Sequence, residues 1–378
     1  MSEKIRVLMV STSYPEDERD WRGRFIANIV TAISRRSDLE LSLWAPPGKL
    51  PDSVANATTK TESAWLHALA GRGGIAAALR VGPLRAVKDA LGLLWRLRKV
   101  YRRSASLDIA HVNWLQNALP LWGLNTPAVI TVLGTDFGLL RHALIRRLLR
   151  AVIRQRRCII APNAAWMTAK LQESFGDIAT VETIPFGVDP AWFRIQRSTD
   201  VSVKPRWLVV SRITAPKIGA LIEWGHGLFD AKRELHLLGP KQELLTLAPW
   251  VNYHGPTNPD ELIRNWFPQC AGLITLSRHD EGRPQVILEA MAAGLPVIAS
   301  DLPAHRDVIQ HGSTGWLVRN AEELAEALNT LETPQINRSI GEQARKWVTA
   351  QIGTWDDCVL RYQGAYRRLV ETSGGTTG

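Results

Sequence analysis

Two glutamates, Glu281 and Glu289, are separated by seven residues in the segment SRHDEGRPQVILEAMAAGLPVIAS (residues 277–300). Gly282 is a turn residue and Pro284 suits the first position of a helix, so the pair should span a loop-to-helix junction. Carboxylates placed there can accept hydrogen bonds from sugar and ribose hydroxyls. A helix start also offers free N–H groups and partial positive charge, which favour a phosphate or diphosphate nearby. On the helix, Gln285 and Glu289 are four apart and share a face, while Val286, Ile287, Ala290 and Met291 turn inward. Taken alone, the segment fits equally an ordinary helix with one capping and one surface glutamate. A second feature adds meaning: after the apolar run WLVVS comes Arg212-Ile-Thr-Ala-Pro-Lys217, two cations on a loop beyond a strand's carboxyl end. Ligands bind at such ends in open parallel sheets, where cations would neutralise a diphosphate.

The elements that must position these residues read as two successive βα series. Residues 5–11 (IRVLMVS) form a nearly continuous apolar run, the pattern of a strand buried on both faces. A helix over 24–34 follows, then strands over 39–44, 108–112, 128–133 and 158–161. The rhythm restarts with strands over 207–211, 234–238, 251–254, 272–276, 296–299 and 315–318. Residues 185–205, with three prolines and no clear period, read as a linker. The expectation is α/β: two Rossmann-like doubly wound domains facing a central cleft. The domain bounds read as 1–188 and 189–353, with a late amphipathic helix in 354–378 crossing back to the first domain. Residues 54–74 read as loop with a helix.

Composition narrows the classes. The chain has 378 residues, 45% hydrophobic and 22% charged, enough for full-sized cores without disulfides. Cys158, Cys270 and Cys358 stand about a hundred residues apart with no second ligand at metal spacing, which excludes a disulfide framework and a zinc site and suits a reducing cytoplasm. No uncharged apolar run reaches the ~18–20 residues of a membrane helix, and the start MSEKIRVLMVSTSYP does not read as a signal peptide. The glycine cluster at 71–74 follows no strand pattern, so it is a poor dinucleotide loop. GxxxxGK[ST], GxSxG and HExxH are absent. His111, at a strand end, reads as a packed or capping histidine.

Several phrases in register resemble the retaining, nucleotide-sugar-dependent glycosyltransferases of the family 4 type, with the glycosyltransferase B fold. Glu281 and Glu289 match that family's spaced glutamates, and EAMAAGLPVIAS is close to its wording. Arg212 and Lys217 match its donor-diphosphate cations. TIPFGVDPAWF (183–193) is similar to its hinge-side phrase IPNGVD, DIAHVNW (108–114) to its strand end DVVHAHW, and IQHGSTGWLV (309–318) to its late glycine turn. Two departures stand out: Leu133-Gly134-Thr135-Asp136 lacks the histidine common before that glycine, and the glutamate loop reads EGRPQ, with Pro284 offering no N–H.

The resemblance implies a hexosyl transfer with retention, either by internal return or by double displacement, from a nucleoside-diphosphate sugar to a saccharide or lipid-linked acceptor, as in cell-surface polysaccharide or lipopolysaccharide assembly. Glu281, Arg212 and Lys217 would be catalytic. Glu289 would hold the ribose, with Gly282, Arg283, Pro284, Gln285 and Gly23 around the donor; Asp136 and Asn113 would lie on the acceptor side. No metal or other cofactor is implied. The rival readings are an epimerase or phosphorylase of the same fold, and a degenerate, non-catalytic membrane scaffold.

The net charge of +10 is unevenly spread. Residues 80–104 hold eight Lys/Arg and one Asp, and residues 139–158 hold seven Arg and no acid, so these two segments carry +14 and the rest is net acidic. Across 139–158 the apolar residues Leu140, Leu144, Leu148 and Val152 recur every four, while Arg147, Arg150, Arg154 and Arg157 line another face: a basic amphipathic helix. It reads as a docking face for an anionic membrane, on the inner side of the cytoplasmic membrane, or as a solvated face over a core helix. No nucleic-acid module is visible, so no nucleic-acid partner is expected. The sequence gives no oligomeric state.

Overall fold

The run IRVLMV becomes strand β1 (Ile5–Val10), and its alternate side chains enter two different cores. Val7 and Met9 pack on one face of the sheet and Leu8 and Val10 on the other, the signature of a strand covered on both sides. Residues 4–17, 20–73, 83–198, 204–279 and 281–371 are described by the structure, a computed structural model.

The first sheet adds β2 (Leu39–Trp44), β3 (Val54–Asn56), β4 (Ile109–Asn113), β5 (Ala128–Val132), β6 (Cys158–Pro162) and β7 (Thr180–Val181). Its order is β3-β2-β1-β4-β5-β6-β7, and every pair is parallel. Every residue of β4, β5 and β6 is buried. Covering helices include α1 (Arg24–Ser34), α2 (Lys60–Gly71), α3 (Pro83–Arg103), α4 (Ala143–Ile153) and α5 (Thr168–Phe175). The second sheet comprises β8 (Arg206–Val210), β9 (Glu234–Leu238), β10 (Val251–Gly255), β11 (Gly272–Thr275), β12 (Val297–Ser300) and β13 (Trp316–Val318), in the parallel order β10-β9-β8-β11-β12-β13. Trp207 and Val209 of β8 enter one core and Leu208 the other. The helices α6 (Gln285–Ala292), α7 (Ala321–Leu331) and α8 (Pro334–Gln351) belong to this half, and α9 (Trp355–Glu371) is last.

The chain divides into two compact units, Met1–Phe186 with Trp355–Gly378, and Gly187–Thr354. Both are Rossmann-like parallel α/β units, as the alternation of strand and helix patterns requires. Several local expectations are corrected. Residues 187–198 are packed rather than loose: Val188, Trp192 and Ile195 are buried in the second unit's core. The stretch 54–74 contains β3 as well as α2, whose start is fixed by a capping box between Thr59 and Glu62. The basic segment 139–158 is not one helix; a 3-10 turn at Phe137–Arg141 precedes the shorter α4.

Candidate functional site

In the second sheet the strand order reverses between β8 and β11, and the loops leaving the carboxyl ends of these strands carry the candidate cations and glutamates. After β8 the chain passes Arg212 and enters a helical turn, Ala215–Ile218. Two backbone bonds tie this turn to the loop after β11: Arg278 N–H donates to the Pro216 carbonyl at 2.8 Å, and Ala220 N–H to the Leu276 carbonyl at 3.0 Å. Gly219 allows that approach, since its φ is +57° and a Cβ there would lie 2.0 Å from the Leu276 oxygen. Lys217 is thereby brought against the glutamate loop, where its Nζ forms an ion pair with Glu281 Oε1. Both side chains are largely enclosed, at 15% and 17% exposure. Burial lowers the Lys217 pKa, the Glu281 charge opposes that shift, and neighbouring Arg212 adds to it.

The structure places Pro284 at the cap of α6, with ψ 114°, so Gln285 and not Pro284 opens the helix. An extended ψ takes the proline out of the first turn, which corrects its expected position. Gln285 Nε2 donates to the Gly187 carbonyl at 2.7 Å. Glu289, four residues on, has its pKa pushed up to about 7 by burial and by the nearby Asp189 charge. Among the described residues its carboxylate has no hydrogen-bond or ion-pair partner. Gly282 is buried beside Glu281. Arg283 turns elsewhere: its Nε donates to Asp307 Oδ2 at 3.0 Å and its Nη2 to the same oxygen, in a pair only 6% and 4% exposed. The guanidinium thus braces the loop against the chain after β12.

That chain segment holds a residue which sequence reasoning passed over. His305, on the turn Pro303–Arg306, is fully buried. Its Nδ1 donates to the Ser300 carbonyl at 2.6 Å, and Ser300 Oγ donates to the Ser277 carbonyl at 2.6 Å, so the ends of β11 and β12 are linked. Nε2 is buried with no hydrogen-bond partner among the described residues, and burial lowers the ring's pKa while the charges of Glu281 and Lys217 act on it in opposite senses. The available signal was AHRD (304–307), three residues beyond the VIAS strand.

Of the candidates in the first unit, Gly23 follows β1 and Asn113 ends β4, the two strands at its own reversal point, while Asp136 follows the next strand, β5. Gly23 caps α1 with φ +67°, and a Cβ there would be 2.6 Å from the Ser13–Tyr14 backbone. Asn113, the buried last residue of β4, donates from Nδ2 to the Val10 carbonyl at 3.1 Å. Trp114 follows with φ +69°, a strained conformation for a bulky residue. Asp136 is 2% exposed and accepts Leu115 N–H at 2.8 Å and Leu133 N–H at 2.9 Å on its two oxygens. Burial raises its pKa to about 6 against those donors. It is a backbone staple rather than a group presented to a ligand. His111 is packed, bonded to Tyr366 Oη at 2.5 Å and Thr131 Oγ1 at 2.9 Å.

The four arginines of the basic segment do not form one row. Arg147 and Arg154 are exposed, Arg150 is bonded to Asp177 through both terminal nitrogens, and Arg157 lies beyond the helix before β6. Among the described residues no helix is long and apolar enough to cross a membrane, and no cluster of three or more His, Cys, Asp or Glu could hold a metal ion.

Comparison with known proteins fits this geometry. A family model for group 1 glycosyl transferases matches residues 205–333, which include all of Arg212, Lys217, Glu281 and Glu289. The chain is 27% identical to a GDP-mannose-dependent alpha-(1-6)-phosphatidylinositol monomannoside mannosyltransferase of Mycobacterium tuberculosis over 51% of this chain, and that alignment spans only 57% of the relative's own length. It is 33% identical to an N-acetyl-alpha-D-glucosaminyl L-malate synthase of Bacillus anthracis, covering 73% of this chain and 78% of the relative. The solved sucrose-phosphate synthase of Thermosynechococcus elongatus superposes with a TM-score of 0.70 at 17% identity, covering 98% of this chain and all of that one. With a paired switch-point site in the matched region and a relative covered over most of its length, this chain belongs to the group 1 glycosyltransferases.

Proposed function

We propose that the protein is a retaining glycosyltransferase, taking a sugar from a nucleoside-diphosphate sugar to a saccharide or lipid-linked acceptor in cell-surface polysaccharide or lipopolysaccharide assembly. The observation that carries this is the convergence of Lys217, Glu281 and Arg212 beyond β8 and β11, with Glu289 on the helix that follows. A donor diphosphate placed there would draw Lys217 from Glu281, free that carboxylate to accept a sugar hydroxyl, and leave both cations on the departing nucleoside diphosphate. Charge stabilisation of this leaving group in an enclosed site is where much of the rate would arise. Glu289, lacking a partner among the described residues, would accept from the ribose. No metal is required by this arrangement, since Arg212 and Lys217 supply the positive charge. Retention follows from the family 4 resemblance.

We place the enzyme in the cytoplasm, peripheral on the inner membrane face, a location that the free cysteines and the segregated positive charge support; a nucleic-acid partner is not proposed, because the sequence shows no nucleic-acid module. The acceptors in the relatives' names, a phosphatidylinositol monomannoside and L-malate, define the range to screen.

Thermal-shift titration with UDP, GDP and their sugars identifies the donor. Arg212→Ala and Glu289→Ala should then each weaken nucleotide binding or turnover by roughly ten- to a hundred-fold, the loss of one charge-assisted contact. Normal binding and turnover in both variants would place the site elsewhere. Donor turnover without any acceptor would favour the epimerase or phosphorylase reading, and absence of turnover despite binding the scaffold reading.

A further inference from the structure

Helix α3 carries an apolar stripe on its outside. Leu84, Val87, Leu91 and Trp95 are 87%, 56%, 62% and 55% exposed, and their spacing of three, four and four residues sets them on one face. The opposite face is spent on the core: Ala86, Leu93, Leu97, Val100 and Tyr101 are buried. The helix is therefore apolar on two sides, which packing of its own unit does not require. The stripe runs about 16 Å along the helix.

Cations flank it. Arg85, Lys88, Lys99 and Arg102 are exposed, and Lys99 Nζ lies 3.5 Å from the centre of the Trp95 ring. The single acid of this segment, Asp89, is held aside by Arg72 at 3.4 Å. A further exposed aromatic, Trp122, is fixed next to this helix, because Arg98 donates to the Pro120 carbonyl at 2.9 Å and to the Trp122 carbonyl. The same short segment is tied to the end of α4 by Gly123 N–H to Gln155 Oε1 at 2.7 Å.

We infer that α3 is an interfacial helix that sets Leu84, Val87, Leu91 and Trp95 into the headgroup boundary of an anionic bilayer. An apolar stripe with lysine and arginine beside it and tryptophan at the edge is the pattern of a helix lying in that interface. Charge decides the occupant. Two copies of this chain joined through α3 would bring two such basic faces together, whereas anionic headgroups complement them. The inference moves the docking element from the arginines of α4, one of which is paired with Asp177, to the exposed stripe of α3. It rests on the membrane location proposed above, but not on the sugar-transfer reaction.

The test is co-sedimentation of the full chain with phosphatidylglycerol-containing and with pure phosphatidylcholine vesicles. The wild type should bind the anionic vesicles and bind less as salt rises. The double variant Leu91→Glu, Trp95→Glu should melt like the wild type, since both sites are exposed, and should lose roughly tenfold or more in vesicle affinity. An environment-sensitive dye on Leu91→Cys should shift to the blue with anionic vesicles. Absence of wild-type binding, equal binding by the double variant, or displacement from vesicles by an equal charge of RNA would overturn the inference. So would a wild-type dimer in light scattering that the double variant makes monomeric. Nucleotide thermal shift on the same samples separates the two readings: vesicle binding without nucleotide binding sinks the transferase proposal alone, and the converse sinks the docking alone.

Discussion

Glu289 holds a carboxyl near pH 7 where an exposed glutamate ionises near 4.5, and the causes are burial and then Asp189. Its folded pKa is raised, so the stability it contributes is complete below about 4.5 and is lost as pH climbs through about 7. A ribose hydroxyl donates best to the ionised form, so donor binding should expel a proton from this site. Nucleotide-sugar affinity is accordingly expected to rise between pH 6 and 8 by up to about tenfold, one proton per binding event, and Glu289→Gln should flatten the profile. Calorimetry in buffers of different ionisation enthalpy reads that proton directly; a pH-independent wild-type affinity would remove Glu289 from the site. At this scale the placement of Arg212 and Lys217 after β8, and of Glu281 and Glu289 on either side of the start of α6, was legible because spacing along the chain fixed it. Arg283 and His305 were not legible, because what decides their roles, Asp307 and the Ser277–Ser300 link, lies on other strands' ends.

Elements place those residues through a few backbone contacts. The Lys217 turn reaches Glu281 only because Gly219 sits at φ +57° against the Leu276 carbonyl. Gly219→Ala adds a Cβ in a backbone region that alanine avoids, and should cost about 1 kcal/mol or more in stability. The loop must also withdraw, so nucleotide affinity should fall although no side chain in contact with the ligand has changed. A Gly219→Ala protein with unchanged melting temperature and affinity would show that the turn has another way to pack. Strands buried on both faces were plain in the sequence because continuous apolar runs have few other uses; β3 and β7, three and two residues long, carry too little pattern. The amphipathic reading of residues 139–158 captured a period but not its direction: Leu144 and Leu148 face outward, while Leu149, Val152 and Ile153 enter the core.

At the scale of the whole chain, the first unit is completed by its last helix. Trp355, Tyr362 and Tyr366 of α9 are buried with Val7, Met9 and Ile109 of the first sheet, so residues about three hundred positions apart share one core. A relay crosses that contact: Tyr366 Oη to His111 Nδ1 at 2.5 Å, His111 Nε2 to Thr131 Oγ1 at 2.9 Å, and Thr131 Oγ1 to Tyr362 Oη at 2.8 Å. Burial lowers the His111 pKa to about 3, so the ring is neutral and serves as one donor and one acceptor, which matches its two partners. Tyr366→Phe leaves one buried ring nitrogen unpaired and should cost about 1–3 kcal/mol. Tyr362→Phe should cost less, because His111 keeps Thr131. Removing α9 altogether strips the cover from β1, β4 and β5, and the truncated chain should lose its cooperative melting transition and bind hydrophobic dyes. Urea midpoints of the two phenylalanine variants provide the measurement. If Tyr362→Phe proves the costlier of the two, the histidine is not the hub of this contact, and side-chain packing rather than the relay holds the helix in place.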